Sequence, residues 1–527
     1  MIPRFLVPRF SFLDSSRAAC ASAGGILFLT AAAVLIHGYH LGVEDQTIYL
    51  PAIKKILDPS LYPRDAEFFL AQTRPTVFPQ IVAATVRISH SSIANAVLGW
   101  QVFSILLILA AARRWSGKLF ASPAAQWAAV VMVVAVLMLP VSGTALYLVD
   151  PYLHLRAPAM ALLLFMLADV MERQLWRALL LAAIAATIHI QMTFYALLLA
   201  VFLLLPERWF AWLGGTKERE NRLAQTTALA AWPLQSLFEP GTPAWQEAAR
   251  TRWQHYLLRW PWYAWIGIFA PLILLFWFGR IGQRQGRQTI ADFCRRLVGF
   301  GIFVFVISAV MTIPPCLERL TPYQPMRGFH LIYFFLVLLA GGWLGELLLR
   351  NKPWRWLLLF LPLSFTMFYV QRQIFPASPH IEWPGAAPRN PWLEAFAWVR
   401  QNTPRDAYFA LDPYYAARPE EDVHGFRAFA ERSMMADYVK DSAVSLLFPS
   451  VAGRWQREVH ARDGWQKFSP ADFERLERDF GVDWVIVEQS HPSSEAFACP
   501  YENELLRVCR ITQRSNRERQ TAASDSR

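Results

Sequence analysis

Residues 20–51 read CASAGGILFLTAAAVLIHGYHLGVEDQTIYLP. The first twenty of these, Cys20 to Tyr39, carry no Asp, Glu, Lys or Arg. At 1.5 Å per residue they match a bilayer core of about 30 Å. Arg4, Arg9 and Arg17 precede the run. It is longer than a signal-peptide core and no A-x-A cleavage site follows, so it reads as a retained first helix. Two adjacent carboxylates, Glu44 and Asp45, stand immediately beyond it.

The rest of the 527-residue chain repeats the pattern of that helix. It is 55% apolar and 17% charged, with a mean hydropathy of +0.25. A soluble chain carries about a quarter charged residues. The apolar residues are clumped into runs near 20–39, 93–112, 120–139, 157–171, 178–205, 264–279, 297–313, 328–349 and 356–370. These read as nine membrane-spanning helices. A soluble enzyme, a secreted disulfide scaffold and a disordered chain are excluded. The 22 tryptophans suit rings placed at membrane interfaces. The net charge of +11 comes from basic residues in short loops between apolar runs, so no nucleic-acid partner is expected. Five cysteines without a C-x-x-C spacing point to neither zinc nor redox chemistry.

The run 178–205 is long: ~42 Å as a single helix, against a core of ~30 Å. It is one tilted helix or two short segments meeting near His189 and Gln191. Counted once, it lets the positive-inside rule place the N-terminus in the cytoplasm. Arg113, Arg114, Lys118, Arg173, Arg177, the arginines of 280–296, Arg350, Lys352 and Arg355 then share that side. The outer side receives 41–75, 141–156, 206–263, 314–327 and everything after Gln371. The aromatic stretch 253–265 reads as a helix lying in the outer interface.

The fold class expected is therefore an all-α polytopic membrane domain over 1–371, joined by a Pro-rich linker, 372–390, to a small outer α/β domain over 391–514. Within that domain 392–402 and 471–480 have helical spacing, and 407–411, 483–488 and 505–511 read as strands. Cys499 and Cys509 flank a turn-like Pro-Tyr-Glu-Asn; they form a bridge closing a hairpin, or remain two thiols. Residues 515–527 read as a disordered polar tail.

This layout, with an acidic pair in the first outer loop, resembles the GT-C superfamily of polytopic glycosyltransferases. Trp398-Val-Arg-Gln-Asn-Thr-Pro-Arg-Asp406 is similar to the W-[IV]-R-x-N-T-P-x-D stretch that opens the outer domain of many such proteins, oligosaccharyltransferase catalytic subunits among them. Val43-Glu-Asp-Gln46 and Leu57-Asp-Pro-Ser-Leu-Tyr-Pro-Arg-Asp65 resemble the first loop of uncharacterised bacterial GT-C-like membrane proteins. No W-W-D-Y-G follows the tail helix, which argues against protein N-glycosylation. The resemblance implies a bacterial inner-membrane enzyme with its C-terminal domain in the periplasm. It implies a polyprenyl-phosphate-linked sugar as donor, and a glycan, lipid or protein acceptor on the outer face.

Chemistry of that kind needs a carboxylate to take a proton from an acceptor hydroxyl, or two to hold a divalent metal, Mg or Mn, against a phosphate leaving group. Glu44 and Asp45 are the residues expected to do so; a helix cap or solvated loop acids is the plainer alternative. Asp58 reads as a turn starter before Pro, and Asp65 as a second acid candidate. Asp150, His154 and Arg156 pack an acid, an imidazole and a guanidinium into seven residues. They grip a phosphate, or form an interfacial salt bridge with a snorkelling Arg. His189 faces a cavity or ties two helices together. Arg327 and His330 meet a lipid phosphate or anchor a helix at the interface. Arg427 and Arg432 line a groove over the membrane domain or, more in keeping with their type, form a solvated face of the outer domain. Two rival readings remain: a non-catalytic membrane scaffold or sensor on the same frame, and a transporter, for which no internal repeat is visible.

Overall fold

The computed structural model describes residues 12–206, 209–210, 241–418 and 421–511. The expected disordered tail, 515–527, lies outside the described residues. The helices that precede the C-terminal domain are α1 (Phe12–His37), α2 (Gln46–Leu57), α3 (Glu67–Thr73), α4 (Phe78–Ser89), α5 (Ile93–Leu119), α6 (Pro123–Ala135) and α7 (Arg156–Met171). They continue with α8 (Leu175–Ile188), α9 (Ile190–Leu204), α10 (Pro243–Arg250), α11 (Trp262–Arg284), α12 (Gln288–Thr312), α13 (Phe329–Leu344) and α14 (Pro353–Ile374). A two-residue ladder, β1 (Pro140–Val141) with β2 (Leu146–Tyr147), closes the loop between α6 and α7.

Several starts follow one local rule: a small polar side chain accepts from the first turn, with proline next in line. Ser122 accepts from Ala125 N ahead of α6, and Thr242 from Trp245 N ahead of α10. Proline at the first helical position loses nothing, because its missing N–H has no intrahelical partner there. The α6–α13 contact relies on absent side chains. A Cβ on Gly341 meets Met132 Cβ at 2.5 Å, and one on Gly345 meets Ala128 Cβ at 2.6 Å. Small residues at this spacing let two helices approach closely where lipid offers no hydrophobic driving force between them.

Among the described residues five helical stretches are long and apolar enough to cross a membrane: Ile93–Leu119, Trp262–Arg284, Gln288–Thr312, Pro315–Leu349 and Pro353–Ile374. Ser22–His37, Pro123–Ala135, Leu175–Ile188 and Ile190–Leu204 are apolar but shorter. The expectation of nine full spans therefore reduces to five long helices and a set of shorter ones.

The run 178–205 takes the second of its two readings. His189 is extended (φ −150, ψ 89) and caps α9, its Nδ1 accepting from Met192 N at 3.4 Å. At the start of α8, Arg177 lies 3.7 Å from Asp169 near the foot of α7. At the end of α9, Arg296 donates to the carbonyls of Phe202, Leu203 and Leu205. Both outer ends thus meet the basic end of the bundle, and His189 is the tip of a helical hairpin. The run holds neither Gly nor Pro to mark this reversal. The stretch expected as an interfacial helix is also different. It forms two single 3-10 turns, Trp253–His255 and Leu257–Arg259, before Pro261 opens α11. Trp253, Leu258, Trp262 and Tyr263 remain exposed.

The C-terminal domain contains α15 (Pro391–Asn402), α16 (Phe426–Ala430), α17 (Asp441–Leu447), α18 (Ala452–His460) and α19 (Pro470–Phe480). Its sheet comprises β3 (Tyr408–Ala410), β4 (Ser433–Met434), β5 (Trp484–Glu488), β6 (Ala498–Glu502) and β7 (Leu506–Arg510), in the order β4-β3-β5-β7-β6. The first three strands are parallel and the last two antiparallel. The three expected strands are β3, β5 and β7. β4 has only two residues, and β6 carries Pro500 with no buried face, so neither has a strand signature. Cys499 and Cys509 are bridged across β6 and β7.

This domain does not sit apart from the bundle. Ile48 and Ala52 of α2, Phe68 and Phe69 of α3 and Ala248 of α10 share one buried cluster with Val444, Trp455 and Val459. The Pro-rich linker is a strap rather than a spacer. Tyr39 pairs with Ile381 beside the end of α1, and Glu382 N donates to Tyr39 O.

Candidate functional site

The loop after α1 is pinned from both sides. Val43 pairs with His424, Glu44 N donates to Val423 O at 3.0 Å, and Gly425 N donates to Gly42 O at 3.0 Å. Gln46 accepts from Gly42 N at 2.6 Å and donates to Leu153 O at 3.0 Å. Glu44 and Asp45 therefore lie at the seam between bundle and C-terminal domain. Glu44 takes a left-handed backbone conformation, φ 52. The two side chains are 39% and 31% exposed, so the pair keeps one accessible edge.

Asp45 meets three cations or donors. His154 Nε2 is 3.0 Å from Oδ2, Arg156 Nη1 is 3.8 Å from the same oxygen, and Lys440 Nζ is 3.5 Å from Oδ1. His154 Nδ1 accepts the Arg156 N–H at 2.9 Å, which leaves the ring proton on Nε2 to be donated to Asp45. Burial favours the neutral acid, but Lys440, His154 and Arg156 together outweigh it and hold Asp45 well below the usual carboxylate range. Burial, then Arg156, lowers the His154 imidazole, so it is neutral at pH 7. Lys440 Nζ donates to Glu44 Oε2. Arg156 Nη2 spans both oxygens of Asp150 at 3.0 and 2.9 Å.

Arg252 and Arg327 also lie within electrostatic reach of Asp45, and Arg327 within reach of Arg156. Asp437 faces Arg252 as well, so four cations (Lys440, Arg156, Arg252, Arg327) meet four carboxylates (Glu44, Asp45, Asp150, Asp437), a formal charge of 4 − 4 = 0. Arg156, Arg252 and Arg327 each retain a buried Nε–H with no partner among the described residues. Arg327 also lines a narrow cleft, with room for about one water, together with Gly143, Thr144, His255, Trp260, Ser308 and Gln324. His255 Nδ1 and both amide atoms of Gln324 have no partner there either. Buried polar atoms are nearly always satisfied, so a cluster of unused ones calls for a polar occupant or water.

Of the residues singled out from sequence, Glu44, Asp45, Asp150, His154 and Arg156 form one connected cluster. His189 stands beside it, its ring 6.0 Å from that of His154. Arg327 lies within electrostatic reach of Arg156 and Asp45 and donates to Gln191 at 3.1 Å. His330 Nε2 donates to Leu148 O at 2.9 Å within electrostatic reach of Arg156, and its buried Nδ1 has no partner among the described residues. Asp65 is elsewhere: it is fully buried and paired with Arg427 at 2.5 Å. Arg427 and Arg432 are not a solvated face. Arg427 also pairs with Asp441 at 2.9 Å, and Arg432 donates to Arg400 O and Thr403 O. Both are needed where chain segments without a ladder partner leave buried carbonyls and carboxylates. Lys440, Arg252, His255 and Gln324 were not singled out. Each is a lone polar residue in an unremarkable loop or turn, far in sequence from the acidic pair.

The pair as it stands does not fit a divalent ion. Two carboxylates face an ammonium, and among the described residues no group of three His, Cys, Asp or Glu could hold a metal. The chain matches no known family model and no curated protein.

Proposed function

We propose that the protein is a GT-C-like glycosyltransferase of the bacterial inner membrane, using a polyprenyl-phosphate-linked sugar and an acceptor on the outer face. One observation carries the reading: Arg156, 3.8 Å from Asp45, and Arg252 and Arg327 within its electrostatic reach each hold an unused buried Nε–H donor, and Asp45 keeps an exposed edge. Arginine donors bind phosphate by charge-assisted hydrogen bonds. The unused donor and acceptor of Gln324 and the ring nitrogen of His255 suit sugar hydroxyls, which both give and accept.

The acceptor oxygen attacks the anomeric carbon, and the bond from that carbon to the phosphate oxygen breaks with its electron pair staying on the phosphate. The acceptor's proton passes to Asp45 or Glu44. Asp45 alone is too weak a base because its neighbours hold it ionised. Phosphate bound to Arg156 and Arg327 neutralises part of that field and raises the proton affinity of Asp45 when the substrate is in place. The departing phosphate stays on the arginines.

The test is thermal unfolding of the purified protein in nanodiscs with added polyprenyl phosphate. Stabilisation that R327Q removes supports the reading; no stabilisation overturns it. A non-catalytic sensor on the same frame is the second reading, favoured by the ion pairing of Lys440 with both carboxylates. It shares the binding and predicts no sugar transfer.

A further inference from the structure

We infer that Lys440 is the resident cation of the acidic pair, an ammonium delivered by the C-terminal domain into the place a divalent ion needs. The site is thereby built to work without a metal. Lys440 is 7% exposed and reaches both Glu44 and Asp45. Its position is fixed from behind. Lys440 N donates to Asp437 Oδ1 at 2.5 Å, and Asp437 N donates to Asp441 Oδ2 at 2.9 Å. Asp441 is held by Arg427, which Asp65 holds in turn. A long, flexible side chain is costly to order; this one is ordered by a chain of buried ion pairs that ends on its own backbone.

Charge decides against a divalent ion. The Lys440 ammonium already lies against both carboxylates, so an added dication faces Lys440, Arg156 and Arg252 across a partly buried site, where screening is weak. A pair of acids otherwise suited to a metal is thus pre-neutralised, and its outer edge is left for an uncharged hydroxyl. The inference stands apart from sugar transfer, because cation uptake is read without turnover.

The experiment is Mn²⁺ titration of the full chain in detergent, followed by electron paramagnetic resonance of the free ion. The wild-type protein and D45N are expected to take up Mn²⁺ identically. K440A is expected to gain a site of about tenfold or more tighter uptake, lost again in K440A/D45N, while K440R gains none. Uptake by the wild-type protein that D45N abolishes overturns the inference. So does a K440A protein that retains its cooperative thermal transition yet gains no site. Should K440A fail to fold, the comparison of wild type with D45N alone decides.

Discussion

Asp65 and Arg427 are 362 residues apart in sequence and 2.5 Å apart in the fold. Asp65 also accepts from Met434 N at 3.0 Å, so one carboxylate fastens the first loop to both a helix and a strand of the C-terminal domain. Removing one partner of a buried pair leaves the other charge unpaired. D65A is expected to lower stability by about 3–5 kcal/mol. A denaturation midpoint unchanged from wild type contradicts it.

The knot beside the strap predicts a stability optimum in pH. Glu382 lies 2.9 Å from His40 and 3.1 Å from His424. Against its burial, His424 and His40 bring Glu382 down to about 2 from an ordinary 4.5. Its contribution is full above that ordinary value and is lost as pH falls toward 2. His424 is raised from 6.5: burial opposes, but Glu382 outweighs it. That contribution is full below 6.5 and is lost as pH climbs through the raised value. The knot therefore stabilises most between about pH 4.5 and 6.5. Melting temperatures measured across pH should show the hump in wild type and a flatter curve in E382Q.

Lys440 and Asp45 make a prediction about rate. Taking away a neighbouring cation raises a carboxylate's proton affinity. K440M should therefore shift the acidic limb of the pH–rate profile for sugar transfer to higher pH, and K440R should leave it in place. Coincident limbs for K440M and wild type mean that Asp45 is not the group titrating.

The guanidiniums and the cleft separate two parts of one ligand. R327Q should weaken binding of polyprenyl phosphate by roughly 10- to 100-fold, the loss of a charged hydrogen bond of about 1.5–3 kcal/mol. Q324A should spare that ligand and weaken only the sugar-bearing form. Isothermal titration with both ligands checks the split; an equal loss for both removes Gln324 from sugar recognition.

What could be read in advance follows from locality. The apolar helices and the acidic pair are each encoded within a few residues, so they were legible. Asp150, His154 and Arg156 were visible for the same reason. Lys440 was not, because its meaning depends on a contact across 396 residues. Arg427 and Arg432 were misread as solvated, since nothing nearby reveals that Asp65 and the carbonyl of Thr403 come to meet them. The hairpin 178–205 was ambiguous because hydropathy reports depth in oil, and two short legs side by side are as oily as one long rod.

The turn at His189 has a topographic consequence. Ile190 and Phe194 present greasy flanks, 67% and 62% exposed, while Gln191 one position along the tip reaches Arg327. On the proposed function, a tailed amphiphile in the plane of the bilayer would follow α9 to its crest and meet the guanidinium without a detour through water. Such a threshold is made by the course of the backbone itself, so no single charge swap bars it; welding the two legs into a continuous rod does.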